Sequence, residues 1–259
     1  MIELNKIYNE DCLEGMKRIP DGSVDCIICD LPYEVLNKRN KNAQWDRLIP
    51  FEPLWEQYER IIKPNGAIVL FAQGMFTAKL MTSNPKMWRY NLVWDKCRAT
   101  GFLNANRMPL RYHEDLCIFY KSLPTYNPQM EDLNGREPNH KQGYGKHYSK
   151  NQCYGNVKRI NTTILDKKYP RSILKFKAVH CNKEQFHPTQ KPVELIEYLI
   201  KTYTNEEELV LDNCMGSGTT AIAAIRTNRN FIGFELQKEY FEKANKRIKE
   251  YASQLKLPL

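Results

Sequence analysis

The chain has 259 residues, with 39 Lys and Arg against 30 Asp and Glu, a formal net charge of +9. At 42% hydrophobic and 27% charged residues, it is neither a disordered chain, a collagen-like repeat nor a peptide dependent on disulfide staples. The length suits one large domain with an insertion, or two small domains.

The charge is unevenly placed. Lys121 to His180 carries 12 Lys and Arg against 4 Asp and Glu, a net of +8, and the other 199 residues contribute +1. The same stretch holds five tyrosines and four glycines. Such a composition suits a polyanion partner. A solvated loop region, whose charge only aids solubility, accounts for it equally well. The eight cysteines mostly follow or interrupt apolar runs, where free thiols behave as small apolar side chains. Cys26 and Cys29 have C-x-x-C spacing, but "CIIC" reads as a strand and no second pair stands at zinc-like spacing. No metal is expected. No secretory signal opens the sequence and no run reaches the roughly 20 apolar residues of a membrane span. The chain therefore reads as cytosolic and reduced.

In chain order, Val24 to Cys29 is a continuous apolar run ending at Asp30 and the turn-like "LPY". That is how a strand buried on both faces reads. "FEPLWEQYERII" (51–62) has apolar residues at helical spacing. "GAIVLFA" (66–72), introduced by the turn "KPNG", is a second buried strand, and "NLVWDK" (91–96) and "DLCIFYK" (115–121) are shorter ones. Beyond Lys121 the periodicity breaks for longer than an ordinary connection allows. Order returns near Arg171. "KPVELIEYLIKTYT" (191–204) predicts a helix with Pro192 near its start, "EELVLD" (207–212) a strand, and "CMGSGTTAIAAIRTN" (214–228) a Gly-rich turn feeding a helix. "RNFIGFEL" (229–236) is a further strand and "QKEYFEKANKRIKEYASQL" (237–255) a final helix. Strands alternating with helices predict an α/β domain with a mostly parallel sheet.

Two places carry chemistry. In "LVLDNCMGSGTT", Asp212 closes a strand and Gly216 and Gly218 sit in the turn before a helix. Glycine there permits positive φ and close approach of a ligand. Glu235 closes the next strand, where a carboxylate can accept from both ribose hydroxyls of a nucleoside. The full G-x-G-x-x-G pattern is missing and no Lys-Ser/Thr pair follows, so the turn suits a nucleoside cofactor without phosphate. A purely structural turn is the alternative. In "CIICDLPYE", Asp30 can accept from an exocyclic amino group, the Leu31 and Pro32 carbonyls can accept from the same amine, and Tyr33 can stack on a planar base. Here the alternative is a capping aspartate in an ordinary loop.

The sequence resembles the permuted, beta-class, S-adenosylmethionine-dependent amino-group DNA methyltransferases of the D-P-P-Y type. "IYNEDCLEGMKRIPDGSVDCIICDLPY" matches the family's opening, "HPTQKPVEL" (187–195) its pre-cofactor motif, "DNCMGSGTT" (212–220) its Gly-rich motif and "NFIGFELQKEY" (230–240) its second cofactor strand. The resemblance spans nearly the whole chain. It implies a doubly wound, Rossmann-like, seven-stranded methyltransferase sheet, circularly permuted. Residues 1–120 and 181–259 would form its two halves, and the basic insertion 121–180 would recognise the target, with Lys141 to Lys158 staying mobile until DNA binds.

The same resemblance implies catalytic roles for Asp30, Leu31, Pro32 and Tyr33. It places Asp11 and Cys12 beside the cofactor adenine and Glu235 on the ribose. Asp212, Met215, Gly216, Ser217, Gly218 and Thr219 would surround the methionine part with Asp30. His187, Thr189, Lys191 and Pro192 would line its end, with Lys191 near the carboxylate. The implied activity is methyl transfer from S-adenosylmethionine to adenine N6 at a short double-stranded DNA sequence, in a prokaryotic or phage restriction–modification setting and with homodimers expected. An aspartate opening the motif resembles adenine enzymes more often, and cytosine N4 is the alternative. A non-catalytic DNA-binding module, an NAD-dependent oxidoreductase and an RNA or protein methyltransferase are the rivals. The sequence departs from the family at Leu31, which replaces the motif's first proline, and at Asn213 and Cys214, where Pro-Phe is common.

Overall fold

The main sheet is built so that each strand's alternate side chains serve two helical layers. A computed structural model describes residues 2–34, 46–132, 148–151, 155–158, 167–179 and 190–255. In it the chain divides into two compact units, 1–127 with 172–259, and 128–171.

In the first unit the elements are β1 (Lys6–Tyr8), α1 (Cys12–Met16), β2 (Val24–Cys29), α2 (Phe51–Ile61), β3 (Ile62–Ala72), α3 (Met75–Ser83), β4 (Trp88–Thr100) and β5 (Arg111–Phe119). The second unit contributes β6 (Glu131–Asp132), β7 (Tyr148–Asn151), β8 (Gly155–Lys158) and β9 (Lys167–Lys168). The first unit resumes with β10 (Ile173–Lys175), α4 (Val193–Tyr203), β11 (Leu209–Asp212), α5 (Thr219–Arg226), β12 (Asn230–Phe234) and α6 (Lys238–Leu255).

The sheet order is β1-β12-β11-β2-β3-β5-β4-β10. Only β5 runs against its neighbours. This is the permuted Rossmann-like methyltransferase sheet that the resemblance implies, with an eighth strand, β10, added at the edge beside β4. The expected insertion 121–180 thus contains sheet residues at its end. Most of Lys141 to Lys158 lies outside the described residues, but β7 and β8 within it pair antiparallel. In the second unit β6 also pairs with β9, where Glu131 meets Lys168 at 3.2 Å and Arg171 at 3.3 Å.

Period-two alternation explains the core. Ile27 and Cys29 of β2 with Ile68 and Leu70 of β3 pack against Met16 of α1, Leu54 and Tyr58 of α2 and Leu80 of α3. On the other face, Cys26 and Ile28 with Val69 and Phe71 pack against Leu195 and Leu199 of α4, Ala221 of α5 and Ala244 of α6. Cys26 and Cys29 therefore belong to opposite faces. The "KPNG" turn survives as a bulge inside β3: Val24 pairs with Ile62, but Cys26 already pairs with Ala67. Among the described residues no helix is long and apolar enough to cross a membrane.

Candidate active site

Strand register brings the motif residues to one edge. Tyr8 pairs with Phe234, Asp212 with Gly233, Leu211 with Ile27, Cys29 with Leu70, and Ala72 with Asp115. Asp11, Glu235, Asp212 and Asp30 consequently follow the carboxyl ends of β1, β12, β11 and β2. The chain leaves β11 toward β12 and β2 toward β3, so the strand order reverses between β11 and β2. Open α/β sheets bind ligands at such a crevice.

Asp30 sits at the centre of a charged cluster. Its Oδ1 accepts from the Tyr33 hydroxyl at 2.9 Å, and its Oδ2 lies 2.5 Å from Lys191 Nζ. Lys191 is also 3.5 Å from Glu114 Oε2, and its ammonium lies over the Phe71 ring at 4.9 Å. Buried Lys96, on β4, reaches Glu114 Oε1 at 3.4 Å. Two carboxylates thus alternate with two ammoniums. Burial raises the Asp30 carboxyl above its ordinary value, and the Lys191 charge opposes that rise. For Lys191, burial acts to lower its value, but Asp30 and Glu114 outweigh it and the ammonium is held above its ordinary range.

The loop itself is fixed by packing. Leu31 is 3% exposed and belongs to the core layer of α1, α2 and α3. That explains how a leucine serves where the family has proline: burial anchors this loop. The Tyr33 ring stacks on Phe76 of α3, with centroids 4.4 Å apart. Glu34 follows at φ 59°, its amide donating to Asp46 at 3.0 Å.

The Gly-rich turn is held from four sides. Gly216 and Gly218 have φ of 52° and 76°, and Gly218 begins α5. A side chain at Gly218 would meet Ala244 of α6 at 3.2 Å. Asp212 Oδ1 accepts from the Cys214 amide at 3.0 Å and its Oδ2 from the Thr220 hydroxyl at 2.6 Å. Both its oxygens thereby hold the turn, and burial raises its carboxyl to about 6. Glu235 accepts from the Gly216 and Gln237 amides, each at 2.8 Å, which leaves further lone pairs on both oxygens. Arg247 of α6 donates to the Ser217 carbonyl at 2.9 Å and to Thr219 Oγ1 at 3.2 Å. Met215 is buried beside Gly233, where any side chain would collide with it.

Asp11 caps α1, accepting from the Leu13 amide at 2.8 Å, and is exposed beside the end of β1. Buried Asn213 accepts from the Tyr58 hydroxyl at 2.5 Å and donates to the sulfurs of Cys12 and Cys214 at 3.6 and 3.7 Å. The departure from Pro-Phe therefore carries its own polar network. Burial pushes the Cys29 thiol up to about 12, and Cys12 is raised too, chiefly by its contact with Cys214. None of these thiols is an activated nucleophile.

His187 and Thr189 lie outside the described residues. The Lys191 ammonium meets Asp30 and Glu114, which the neighbouring strand ends place within reach. Lys96, Glu114, Phe76 and Arg247 carry no motif signal in the sequence. They enter the site through register and helix packing.

An open Rossmann-like sheet with a D-x-P-Y loop on one side of its switch point, and a Gly-rich turn followed by a strand-closing carboxylate on the other, defines the permuted class of amino-group methyltransferases. The family model of N6 and N4 methyltransferases, described as DNA methylase, matches residues 24–246. The chain belongs to this family. It is an S-adenosylmethionine-dependent DNA methyltransferase that acts on an exocyclic amino group of adenine or cytosine.

Among its relatives, the type II methyltransferase M.BglII of Bacillus subtilis is 31% identical over 255 residues, covering 92% of this chain and 67% of that protein. M1.MboII of Moraxella bovis is 29% identical over 262 residues, covering 95% of this chain and 96% of that protein. The solved M1.HpyAVI–SAM complex aligns with TM-score 0.63 at 25% identity, over 94% of this chain and 98% of that one. The cytosine-N4-specific PvuII methyltransferase shares the fold, with TM-score 0.65 at 16% identity over 96% of this chain and 92% of that one.

Proposed function

We infer that the chain methylates adenine N6 at a short specific sequence in duplex DNA. The observation that carries this reading is the carboxylate of Asp30, opening the loop at the switch point with Tyr33 on one oxygen and Lys191 on the other. An aspartate in this position resembles the adenine enzymes of the family. The net +8 of residues 121–180 suits phosphate contacts, with a few side chains left to read base edges.

The residues present fit the cofactor. Glu235 keeps acceptor capacity for ribose hydroxyls. The Gly216–Gly218 turn offers backbone free of Cβ, and Asp11 and Cys12 follow the adjoining strand. Once bound, S-adenosylmethionine supplies an electrophilic methyl group on a sulfonium. The chain's part is alignment and exclusion of water.

Asp30 and the Leu31 and Pro32 carbonyls would accept the N–H groups of an extruded base, pointing its nitrogen lone pair outward. Tyr33, steadied by Phe76, would stack on the ring. Asp30 acts as an acceptor and needs no strong basicity, because the amine proton becomes acidic only as the new bond forms. The Lys191 charge opposes the effect of burial on the Asp30 carboxyl and so favours its ionised, accepting form. No covalent intermediate with the protein arises.

Mass spectrometry of nucleosides from DNA methylated by the protein tests the reading. N6-methyladenine is expected, and N4-methylcytosine would overturn the adenine assignment. Modification-aware sequencing of the same DNA gives the recognition sequence.

A further inference from the structure

The β4–β5 hairpin carries a feature that neither cofactor binding nor the Asp30 site uses. Its connection, residues 101–110, exposes Phe102 (65%), Leu103 (100%) and Met108 (54%) to solvent. Single exposed apolar residues are ordinary, but three within seven positions at a tip form a patch. The tip is also closed by its own hydrogen bonds. Gly101, at φ 86°, starts a 3-10 turn over Phe102–Asn104. Ala105 N donates to the Phe102 carbonyl at 3.0 Å, and Arg107 N and Met108 N donate to the Asn104 carbonyl at 2.9 and 3.0 Å. Thr100 Oγ1 closes the base on the Arg111 carbonyl at 3.2 Å. The apolar side chains are therefore presented to solvent by a preorganised turn.

The tip's position is equally specific. β3 ends at Ala72, opposite Asp115, whereas β5 begins four residues earlier at Arg111. At ~3.4 Å per residue the hairpin overshoots the sheet edge by about 14 Å before its turn begins. It does so at the carboxyl edge, where Asp30 lies. Its base supplies Lys96 and Glu114 to the Asp30 cluster. Exposed Arg98, Arg107 and Arg111 accompany the apolar tip, and residues 97–112 contain no Asp or Glu.

Apolar side chains flanked by arginines are what proteins insert between base steps when they unstack DNA. A second copy of this chain would bring its own arginines against these, in a protein already at +9. Charge complementarity thus favours a polyanion.

We propose that the Phe102–Leu103 tip is a wedge that enters the duplex beside the target and fills the space left by the extruded base, with Arg98 and Arg107 on the adjoining phosphates. The proposal rests on the DNA methyltransferase assignment and adds the surface that opens the stack. Extrusion costs least when the base is already mispaired, so the wedge should matter for a paired target and much less for a mispaired one.

The test uses the double variant Phe102→Ala, Leu103→Ala. Both side chains are exposed, so the fold and cofactor affinity should stay intact, which circular dichroism and calorimetric titration of S-adenosylmethionine check. Labelled-methyl transfer is measured on duplexes bearing the mapped recognition sequence, with the target base paired or mispaired. The expected result is a kcat/KM at least tenfold below wild type on the paired duplex and within twofold of it on the mispaired one. Equal loss on both duplexes would make the tip a general DNA contact and overturn the wedge, as would no loss on either. A drop in the sedimentation coefficient of the free protein on substitution would assign the patch to contact between copies instead, and also overturn it. Wild-type transfer to the paired duplex is the control that separates these outcomes from failure of the methyltransferase reading.

Discussion

Lys191 Nζ lies 2.5 Å from Asp30 Oδ2 and 3.5 Å from Glu114 Oε2, so one ammonium stands between two carboxylates at the centre of the site. Like charges this close resist joint ionisation. Replacing Lys191 with Met removes the charge that opposes the effect of burial on Asp30. The Asp30 carboxyl should then rise further, and its ionised form should appear only at higher pH. In Lys191→Met the acid limb of the pH–kcat profile should move upward, with transfer regained as the pH is raised. An acid limb in the wild-type position would show that Lys191 does not govern Asp30.

Removing the acceptor itself is a sharper change. Asp30→Ala leaves Lys191 paired with Glu114, so no buried cation is stranded. The protein should fold and bind S-adenosylmethionine within about threefold of wild type. Transfer should fall by roughly a hundredfold to a thousandfold or more, the usual scale for losing one preorganised polar group at a reacting centre. Near-normal methylation by this variant would remove Asp30 from the mechanism.

Glu235 is the proposed ribose ligand on the cofactor side of the switch point. Its oxygens accept from the Gly216 and Gln237 amides and keep spare lone pairs that could take ribose hydroxyls. Glu235→Gln keeps the shape but turns one acceptor into a donor. Cofactor affinity should weaken about tenfold, which corresponds to ~1.4 kcal/mol. At saturating cofactor, kcat should change little. Calorimetric titration reads the first quantity and initial rates the second. Unchanged affinity would separate Glu235 from the cofactor.

The strands and helices with strong patterns were legible in the sequence, and the site was legible only along its motifs. β2 and α2 have one apolar stripe or run each, and α4 and α6 are long amphipathic segments. Their sequence-derived and observed limits agree to within two residues. β1 has only three residues and α3 buries only Phe76, Thr77 and Leu80, so neither offers a period to detect. Asp30, Tyr33 and Glu235 were legible as candidates because they sit in contiguous motifs at strand ends. Lys96 and Glu114 were not, because a charged residue ending a strand reads as solvated. Only the antiparallel register, with Trp94 opposite Glu114, sets the two facing each other across β4 and β5. The edge strand β10 was missed for a similar reason. It lies in a segment whose composition reads as loop, and its pairing is with β4, some eighty residues earlier.

Asp212 links the Gly-rich turn to stability. Burial raises its carboxyl to about 6, while the Thr220 hydroxyl and the Cys214 amide partly offset that rise. In the unfolded chain an aspartate titrates near ~3.9. A folded value above the unfolded one means that the folded state binds the proton more tightly. The stabilisation from this group is fully present below about pH 4 and is lost as the pH rises through about 6. A shift of that size corresponds to roughly 3 kcal/mol. Asp212→Asn should remove this slope while keeping an oxygen for the Cys214 amide, and Thr220 can turn to accept from the new amide. Urea unfolding of both proteins at pH 4.5 and pH 8 measures the effect. The stability of wild type relative to Asp212→Asn should fall by about 2 kcal/mol between the two conditions. A constant difference would place the Asp212 carboxyl in its ordinary range, with the turn held by geometry alone.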